Sequence, residues 1–456
     1  MSDPIVVIVD VTDTLSSPWS AGIQRVVRGV TAALAARSDV ELVPVVRVEG
    51  SQRVRTLVGD EPARLARPPA GERPPMPTAA PRPWLEALDR SVPAGAMRAA
   101  RAVVRPLRAL QYRARDERRR LSAERRHHEV ILGRVAPGTV VLELDAVWNQ
   151  VGVDRRRWYR DLQRQGARIV PFVHDLLPIE HPDWFVPSLV AVFTDTLDTQ
   201  LAAADLVVTN SSATADSVRR LAASLDRSEV PVVPVVLGAD RADRADESRV
   251  PGPADTAEVA RVVLVVGTIE PRKNHRTLLQ AWDRLRADGT ATDAELVVVG
   301  RPGWRADDVV EQLEAGADHG IRWLSGADDE ELVRCYQQAD LVVVPSLTEG
   351  YGLPVVEALR AGVPVVSSSG GALAALGERA PVAVELVEPT DVDGWVDAIR
   401  RHLVDPAHRV RALAAVADAD VPTWGDTAEE LVAALRASTA IRGEFPTGGA
   451  NQELPS

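Results

Sequence analysis

Residues 349–370 read E-G-Y-G-L-P-V-V-E-A-L-R-A-G-V-P-V-V-S-S-S-G. They follow an apolar run over residues 341–344 that is typical of a buried parallel strand. The glycines that follow predict a turn, and Pro354 suits the first turn of a helix that ends near Gly362. A strand, a glycine-rich turn and a helix N-terminus bring backbone N–H groups and the helix dipole together, which predicts an anion site.

Two carboxylates lie on either side of this predicted anion site. Glu349 comes just after the strand, and Glu357 lies near the first helical turn. Because a carboxylate does not bind phosphate, we expect both to accept hydrogen bonds from hydroxyl groups beside it. A phosphate with hydroxyl groups on both sides describes a nucleotide sugar. The alternative is that both are surface residues stabilising the helix dipole, beside an ordinary glycine turn.

The single lysine of the chain lies in a second loop of the same kind. Residues 262–275 read V-V-L-V-V-G-T-I-E-P-R-K-N-H, a buried strand that runs into a turn before a predicted helix. A compact ammonium group on a loop over a parallel sheet suits contact with phosphate oxygens. The alternative is that Lys273 is a surface residue that survives by chance in an arginine-biased chain.

Strands rich in Val, Ile and Leu alternate with helical patterns in both halves of the chain. This alternation predicts an α/β fold with parallel sheets and helices on both faces, whose ligands bind beyond the carboxyl ends of the strands. The predicted strands are 5–9, 42–46, 139–144, 168–173, 205–209, 262–266, 295–299, 341–344 and 363–367. The predicted helices include 22–36, 155–165, 188–203, 212–224, 275–287, 305–316, 329–338 and 354–361.

Composition excludes several classes of function. The net charge of −12 argues against nucleic-acid binding. The single cysteine, Cys335, excludes an internal disulfide and a multi-cysteine zinc site, and its helical surroundings predict a core residue. The N-terminus lacks the features of a secretory signal, and no apolar run reaches the length of a membrane span. We therefore expect a cytoplasmic protein.

These motifs resemble those of the retaining nucleotide-sugar glycosyltransferases of family 4, which have the GT-B fold of two Rossmann-like parallel-sheet domains facing each other across a cleft. The resemblance is closest to bacterial mannosyltransferases of surface-polysaccharide assembly. It rests first on Glu349 and Glu357, the glutamate pair with seven residues between them. The other matching segments are V-G-T-I-E-P-R-K-N (266–274), V-G-R-P-G-W (299–304), I-R-W-L-S-G (321–326), V-H-D-L-L-P (173–178), G-I-Q-R (22–25) and the segment from Trp424 to Leu431.

The resemblance implies a role for each matching residue. Glu349 would contact sugar hydroxyls at the reacting centre, His174 would face the donor sugar, and Lys273 would neutralise the leaving diphosphate. These three are the implied catalytic residues. The implied donor-binding residues are Gly22, Thr268, Arg272, Lys273, Trp323, Leu324, Ser325, Gly350, Tyr351, Gly352, Leu353 and Glu357. Many relatives carry Arg at the position of Thr268, and Arg272 is the candidate to compensate.

The implied reaction is retaining transfer of a hexose from a nucleotide sugar to a glycan or lipid-linked acceptor, with mannose from GDP-mannose favoured. No cofactor or metal is expected, because Lys273, Arg272 and a helix N-terminus can neutralise the leaving diphosphate. Two alternatives stay open. One is a non-catalytic module that binds a nucleotide sugar or glycan, and the other is another enzyme of the same fold, such as an epimerase or phosphorylase.

The expected domain organisation follows from the length of 456 residues and from the resemblance. Residues 1–238 would form the acceptor-side domain, with a Pro/Arg-rich and basic helical insertion at about 50–130, whose part over 50–90 would be loosely structured. Within it, arginines at helical spacing over 97–128 lead to the hypothesis of peripheral contact with an anionic membrane; the alternative is a solvated helix. The remaining predicted parts are a linker over 239–258, a nucleotide-sugar domain over 259–422, a helix over 423–438 crossing back to the first domain, and a disordered tail over 439–456.

Overall fold

The computed structural model describes residues 3–17, 21–48, 53–67, 135–150, 152–239 and 261–443, and of residues 439–443 only the backbone. The basic segment 97–128, most of the predicted linker 239–258 and residues 444–456 lie outside the described residues. Within these ranges the chain forms two β-sheets with helices between their strands, as the alternation of strands and helices predicts. None of the described helices combines the length and the apolar character needed to cross a membrane.

The first sheet is built from the N-terminal half of the chain. Its strands are β1 (Ile5–Asp10), β2 (Val40–Arg47), β3 (Val54–Thr56), β4 (Val140–Glu143), β5 (Arg168–Val173), β6 (Val207–Thr209) and β7 (Val232–Pro234). Their order is β3-β2-β1-β4-β5-β6-β7, and neighbours are parallel except at β3, which runs antiparallel to β2. The helices of this half are α1 (Thr12–Ser16), α2 (Gly22–Ala35), α3 (Glu61–Ala66), α4 (Arg155–Gln163), α5 (Leu177–Glu180), α6 (Pro187–Ala203) and α7 (Ser212–Ser224).

The second sheet is parallel throughout. Its strands are β8 (Arg261–Val266), β9 (Ala294–Val299), β10 (Ile321–Leu324), β11 (Leu341–Val344), β12 (Val365–Ser368) and β13 (Val384–Val387), in the order β10-β9-β8-β11-β12-β13. The helices that follow them are α8 (His275–Ala287), α9 (Asp307–Glu314), α10 (Asp329–Gln338), α11 (Leu353–Arg360), α12 (Leu373–Arg379), α13 (Val392–Val404) and α14 (Pro406–Asp418). The central strand β11 is buried at every residue, which is why it reads as a continuous apolar run.

A final helix, α15 (Trp424–Gly443), returns from the second sheet to the first. It packs on α2, where a Cβ placed on Gly29 would lie 2.2 Å from the Trp424 ring, so the helices approach closely. The side chain of Arg168 in β5 donates to the carbonyl of Leu435 at 2.9 Å. One apolar core therefore runs through both halves of the molecule, and it includes Leu431 and Leu435.

Part of the Pro/Arg-rich insertion is ordered, contrary to the expectation of a loosely structured stretch from residue 50. Residues 53–67 contain β3 and α3. Val54 and Leu65 are buried, and Arg55 forms two hydrogen bonds with Glu61 at 2.7 and 2.8 Å. A single pair of apolar side chains gives too weak a periodic signal to predict these elements from sequence.

Candidate active site

The loops after β8 and β11 meet because these two strands are neighbours in the middle of the second sheet, with Val263 paired to Leu341. The first loop contains a single 3₁₀ turn, Pro271–Lys273, which ends at Asn274 in the left-handed region with φ of 55°. The side-chain amide of Asn274 donates to the carbonyl of Pro345 at 3.0 Å. This bond fixes the lysine-bearing turn against the loop that carries Glu349.

The carboxylate of Glu349 lies at the centre of a compact charged cluster. It accepts hydrogen bonds from Lys273 Nζ at 2.5 Å, from Arg272 Nη1 at 2.5 Å and from Ser346 Oγ at 2.7 Å. Arg272 also donates to Glu270 at 2.7 Å. Burial alone would raise the pKa of the Glu349 carboxyl, but the charges of Arg272 and Lys273 lower it to about 2. Glu349 is therefore ionised throughout the physiological pH range.

The glycine turn between β11 and α11 adopts a conformation that favours glycine. Gly352, the N-cap of α11, has φ of 108°. Leu353 and Pro354, at the start of the helix, are buried. The N-terminal amides of α11 therefore begin in the same loop as the Glu349 cluster, which is the anion-site arrangement that the sequence predicts.

The same glycine turn packs directly on the first domain. A Cβ placed on Gly350 would lie 2.3 Å from the carbonyl oxygen of His174, at the end of β5. The hydroxyl groups of Ser211 and Thr214 donate to the Gly350 carbonyl at 2.6 and 3.2 Å. The buried Tyr351 hydroxyl accepts from the Leu237 N–H at 2.9 Å and donates to the Leu237 carbonyl at 2.6 Å. The two domains are therefore in contact at the predicted site.

His174 is buried, and its ring is held in one orientation. Its Nε2 lies 2.8 Å from the carbonyl of Leu144, at the end of β4. Burial lowers the pKa of His174 to about 4, so the ring is neutral at pH 7. Because a carbonyl oxygen can only accept, Nε2 carries the proton and Nδ1 is left as an acceptor.

Glu357, on α11, is held by two donors. Arg25, in α2 of the first domain, lies 2.6 Å from one carboxylate oxygen, and the hydroxyl of Tyr336 donates to the other at 2.7 Å. Burial and the neighbouring Glu357 raise the pKa of Tyr336 well above its usual range, so it remains a donor. The sequence motifs include Arg25 only as part of the G-I-Q-R segment, and they give Tyr336 no role in the site. For Arg25, the signal in the sequence was its position three residues after Gly22.

The remaining predicted site residues lie in three places. Gly22 is the first residue of α2, and Leu353 lies 4.0 Å from the position of a Cβ on it. The methyl group of Thr268 packs near Gly303. Trp323, Leu324 and Ser325 lie at the end of β10, where the Trp323 indole donates to the Gly300 carbonyl at 2.8 Å. Because β9 separates β10 from β8, this group is set apart from the Glu349 cluster.

Within the described residues, one group of side chains has the spacing of metal ligands. It consists of Glu385, His402 and His408. Glu385 lies on β13, at the edge of the second sheet, and is not part of the Glu349 cluster.

The second sheet and the helices from α8 to α13 match a known protein family. Residues 260–405 match the family described as "Glycosyl transferases group 1". The chain is similar to the O-antigen chain mannosyltransferase B of Escherichia coli, with 37% identity over 175 residues, 38% of this chain and 45% of the relative. It is also similar to the serotype-specific mannosyltransferase WbdA of Escherichia coli, with 30% identity over 216 residues, 45% of this chain and 26% of the relative. The matches thus span less than half of either relative.

A solved structure supports the architecture over nearly the whole chain. HepE of Anabaena, solved in complex with UDP and glucose, superimposes with a TM-score of 0.56 at 14% identity, covering 96% of this chain and all of HepE. The two parallel-sheet domains predicted from the sequence are confirmed. The chain therefore has the two-domain GT-B fold, and its residues 260–405 are similar to the glycosyl transferases group 1 family.

Proposed function

We propose that the chain is a retaining glycosyltransferase that moves a hexose from a nucleotide sugar to a glycan or lipid-linked acceptor. The observation that carries this proposal is the Glu349 carboxylate with Lys273 and Arg272 each 2.5 Å away, in a loop that leads into the N-terminus of α11. Two fixed cations and a helix N-terminus suit a departing diphosphate. A carboxylate beside them suits contact with the sugar from which the diphosphate departs.

In the proposed reaction, the bond between the sugar C1 and the phosphate oxygen breaks while the acceptor oxygen bonds to C1 on the same face. The acceptor proton passes to the departing phosphate oxygen. Negative charge grows on the diphosphate, where Lys273 and Arg272 oppose it, and positive charge grows on the sugar, where the ionised Glu349 opposes it. The Nδ1 acceptor of the neutral His174 ring suits a hydrogen bond from a donor-sugar hydroxyl.

Glu357 is proposed to hold the ribose of the donor. Arg25 and Tyr336 each engage one of its two oxygens. Since a carboxylate offers about four acceptor positions, ribose hydroxyls can still bind there. Glu357→Gln should therefore mainly raise the donor KM, whereas Glu349→Gln should mainly lower kcat. Steady-state kinetics of both variants test this division, and losses confined to the donor KM in both variants would contradict it.

Mannose from GDP-mannose is the favoured donor. The support is that two relatives are named mannosyltransferases, one of them an O-antigen chain enzyme. UDP-glucose is the second donor to test, because HepE was solved with UDP and glucose.

The proposal is tested by a donor screen followed by a transfer assay. A bound donor should raise the unfolding temperature by mass action, and acceptor should then cause release of nucleoside diphosphate. The anomeric configuration of the product, read by NMR, tests retention. Donor binding without release of nucleoside diphosphate, whichever acceptor is added, would indicate a non-catalytic module. Release of nucleoside diphosphate without transfer of the sugar to an acceptor would indicate another enzyme class.

A further inference from the structure

Three potential metal ligands converge at the edge of the second sheet. Glu385 is the second residue of the edge strand β13, His402 lies in the last turn of α13, and His408 lies in the first turn of α14. The two histidines flank the short corner between these helices, where the Asp405 side chain accepts hydrogen bonds from the N–H groups of Ala407 and His408 at 2.9 and 3.0 Å. This cap fixes the position from which His408 faces His402.

The three side chains present one ligand atom each at short and similar separations. The Nε2 atoms of His402 and His408 are 3.1 Å apart. Glu385 Oε2 lies 3.7 Å from the first and 3.6 Å from the second. A tetrahedral ion bound at about 2.0–2.1 Å keeps its ligand atoms about 3.3–3.4 Å apart. The observed triangle therefore has the size that one such ion requires.

The protein also positions the Glu385 carboxylate in a way that leaves one oxygen for a ligand. Arg401 donates to Oε1. Oε2 is shielded from solvent and has no hydrogen-bond partner among the described residues. The side chain of His402 is 2% exposed and that of His408 is 14% exposed. A shielded carboxylate oxygen that faces two imidazole nitrogens without a hydrogen bond is costly unless something binds it.

We propose that Glu385, His402 and His408 bind a divalent transition metal ion, with zinc as the first candidate. Two imidazole nitrogens and one carboxylate oxygen suit Zn²⁺ and its neighbours better than Mg²⁺ or Ca²⁺. The three ligands leave one position for water. Because they come from the edge strand β13 and from both helices of the α13–α14 corner, the ion would clamp the last strand to the segment that leads into α15.

This role is distinct from the proposed transfer reaction. Glu385 lies toward the amino end of its strand, whereas the Glu349 cluster follows the carboxyl end of β11. The site would therefore stabilise the second domain and the path of the chain back to the first.

The test uses the full chain, stripped with a chelator and titrated with ZnCl₂. Calorimetry should show one ion per chain, and Zn²⁺ should raise the unfolding temperature. Addition of CoCl₂ should produce the visible absorption of four-coordinate Co²⁺. Removing only the hydrogen-bond partner of a metal ligand weakens metal binding by about 10–100-fold. Because His408→Gln removes a ligand itself, it should weaken Zn²⁺ binding by at least that factor. It is preferred to a His402 variant, since His402 lies deeper in the core and its loss would disturb folding.

Two control variants keep the test specific. His319→Gln changes an exposed histidine beside Asp283 and should keep full Zn²⁺ affinity. The double variant His127→Gln/His128→Gln removes an adjacent histidine pair elsewhere in the chain and should keep it as well. Failure of the wild-type protein to bind Zn²⁺ or Co²⁺ at one ion per chain would overturn the proposal. Unchanged affinity in His408→Gln would overturn it too, and the two histidines would then form only a hydrogen-bonded pair.

Discussion

Lys273 is one of three donors around the Glu349 carboxylate, together with Arg272 and Ser346. Lys273→Ala therefore leaves Glu349 with two partners, and we expect the fold to remain intact. Transfer should fall by about 10²–10³-fold, because one fixed charge opposite the leaving diphosphate is lost. Lys273→Arg should also be impaired, since a guanidinium fork cannot occupy the place of a compact ammonium group. Nucleoside diphosphate release and circular dichroism melting measure the two effects.

A matched control for the loss of this charge lies three residues further along. Arg276 forms an ion pair with Asp308 in which both side chains are half exposed. Arg276→Ala should leave transfer close to the wild-type rate and change stability by less than about 1 kcal/mol. Wild-type turnover by Lys273→Ala would remove Lys273 from the proposed mechanism.

The depressed pKa of Glu349 makes a prediction about acid stability. The folded protein releases this proton near pH 2, whereas an unperturbed glutamate releases it near 4.5. The stabilisation is therefore fully present above pH 4.5 and is lost as the pH falls toward 2. It amounts to on the order of 3 kcal/mol. Glu349→Gln should reduce the slope of unfolding free energy against pH in this window, as measured by urea unfolding. Equal slopes for variant and wild type would contradict the assignment.

At the scale of elements, the turn between β11 and α11 is shaped by its contact with the end of β5. Gly350→Ala would place a Cβ 2.3 Å from the His174 carbonyl oxygen, and neither backbone can yield easily. We expect a loss of stability of about 1–3 kcal/mol and a marked loss of transfer, since the domains must separate locally. Thermal unfolding and the transfer assay measure both. Gly326→Ala, where no atom lies within 4 Å of the added Cβ, should keep the wild-type unfolding temperature.

At the scale of the whole molecule, α15 ties the two halves of the chain together by packing on α2. Gly29→Ala would set a methyl group 2.2 Å from the Trp424 ring, which should lower the free energy of unfolding by about 1–3 kcal/mol. Chemical denaturation measures this loss. A double variant that adds Trp424→Leu should recover part of it, because the smaller side chain makes room. If the loss in the double variant equals the sum of the losses in Gly29→Ala and in Trp424→Leu alone, the two helices do not meet at this point.

Much of this architecture could be predicted from the sequence, because parallel strands buried on both faces read as apolar runs and amphipathic helices repeat at their own period. Helices α7, α8 and α10 begin and end at the predicted residues. The loops with Lys273 and Glu349 were found because each follows such a strand. Short elements such as β3 and β7 were missed, since three residues carry no period.

Other features depend on strand order and packing, which no local pattern contains. The order β8-β11 places Lys273 and Arg272 against Glu349, and the docking of the domains brings Arg25 to Glu357. Sequence spacing likewise gave no sign that Glu385 meets His402 and His408, because the three come from a strand and two helices that only the folded chain brings together. Local sequence therefore determined the elements and the residue types at their ends, whereas the tertiary structure decided which of those residues became partners, because contacts between distant segments follow from the packing of sheets and helices.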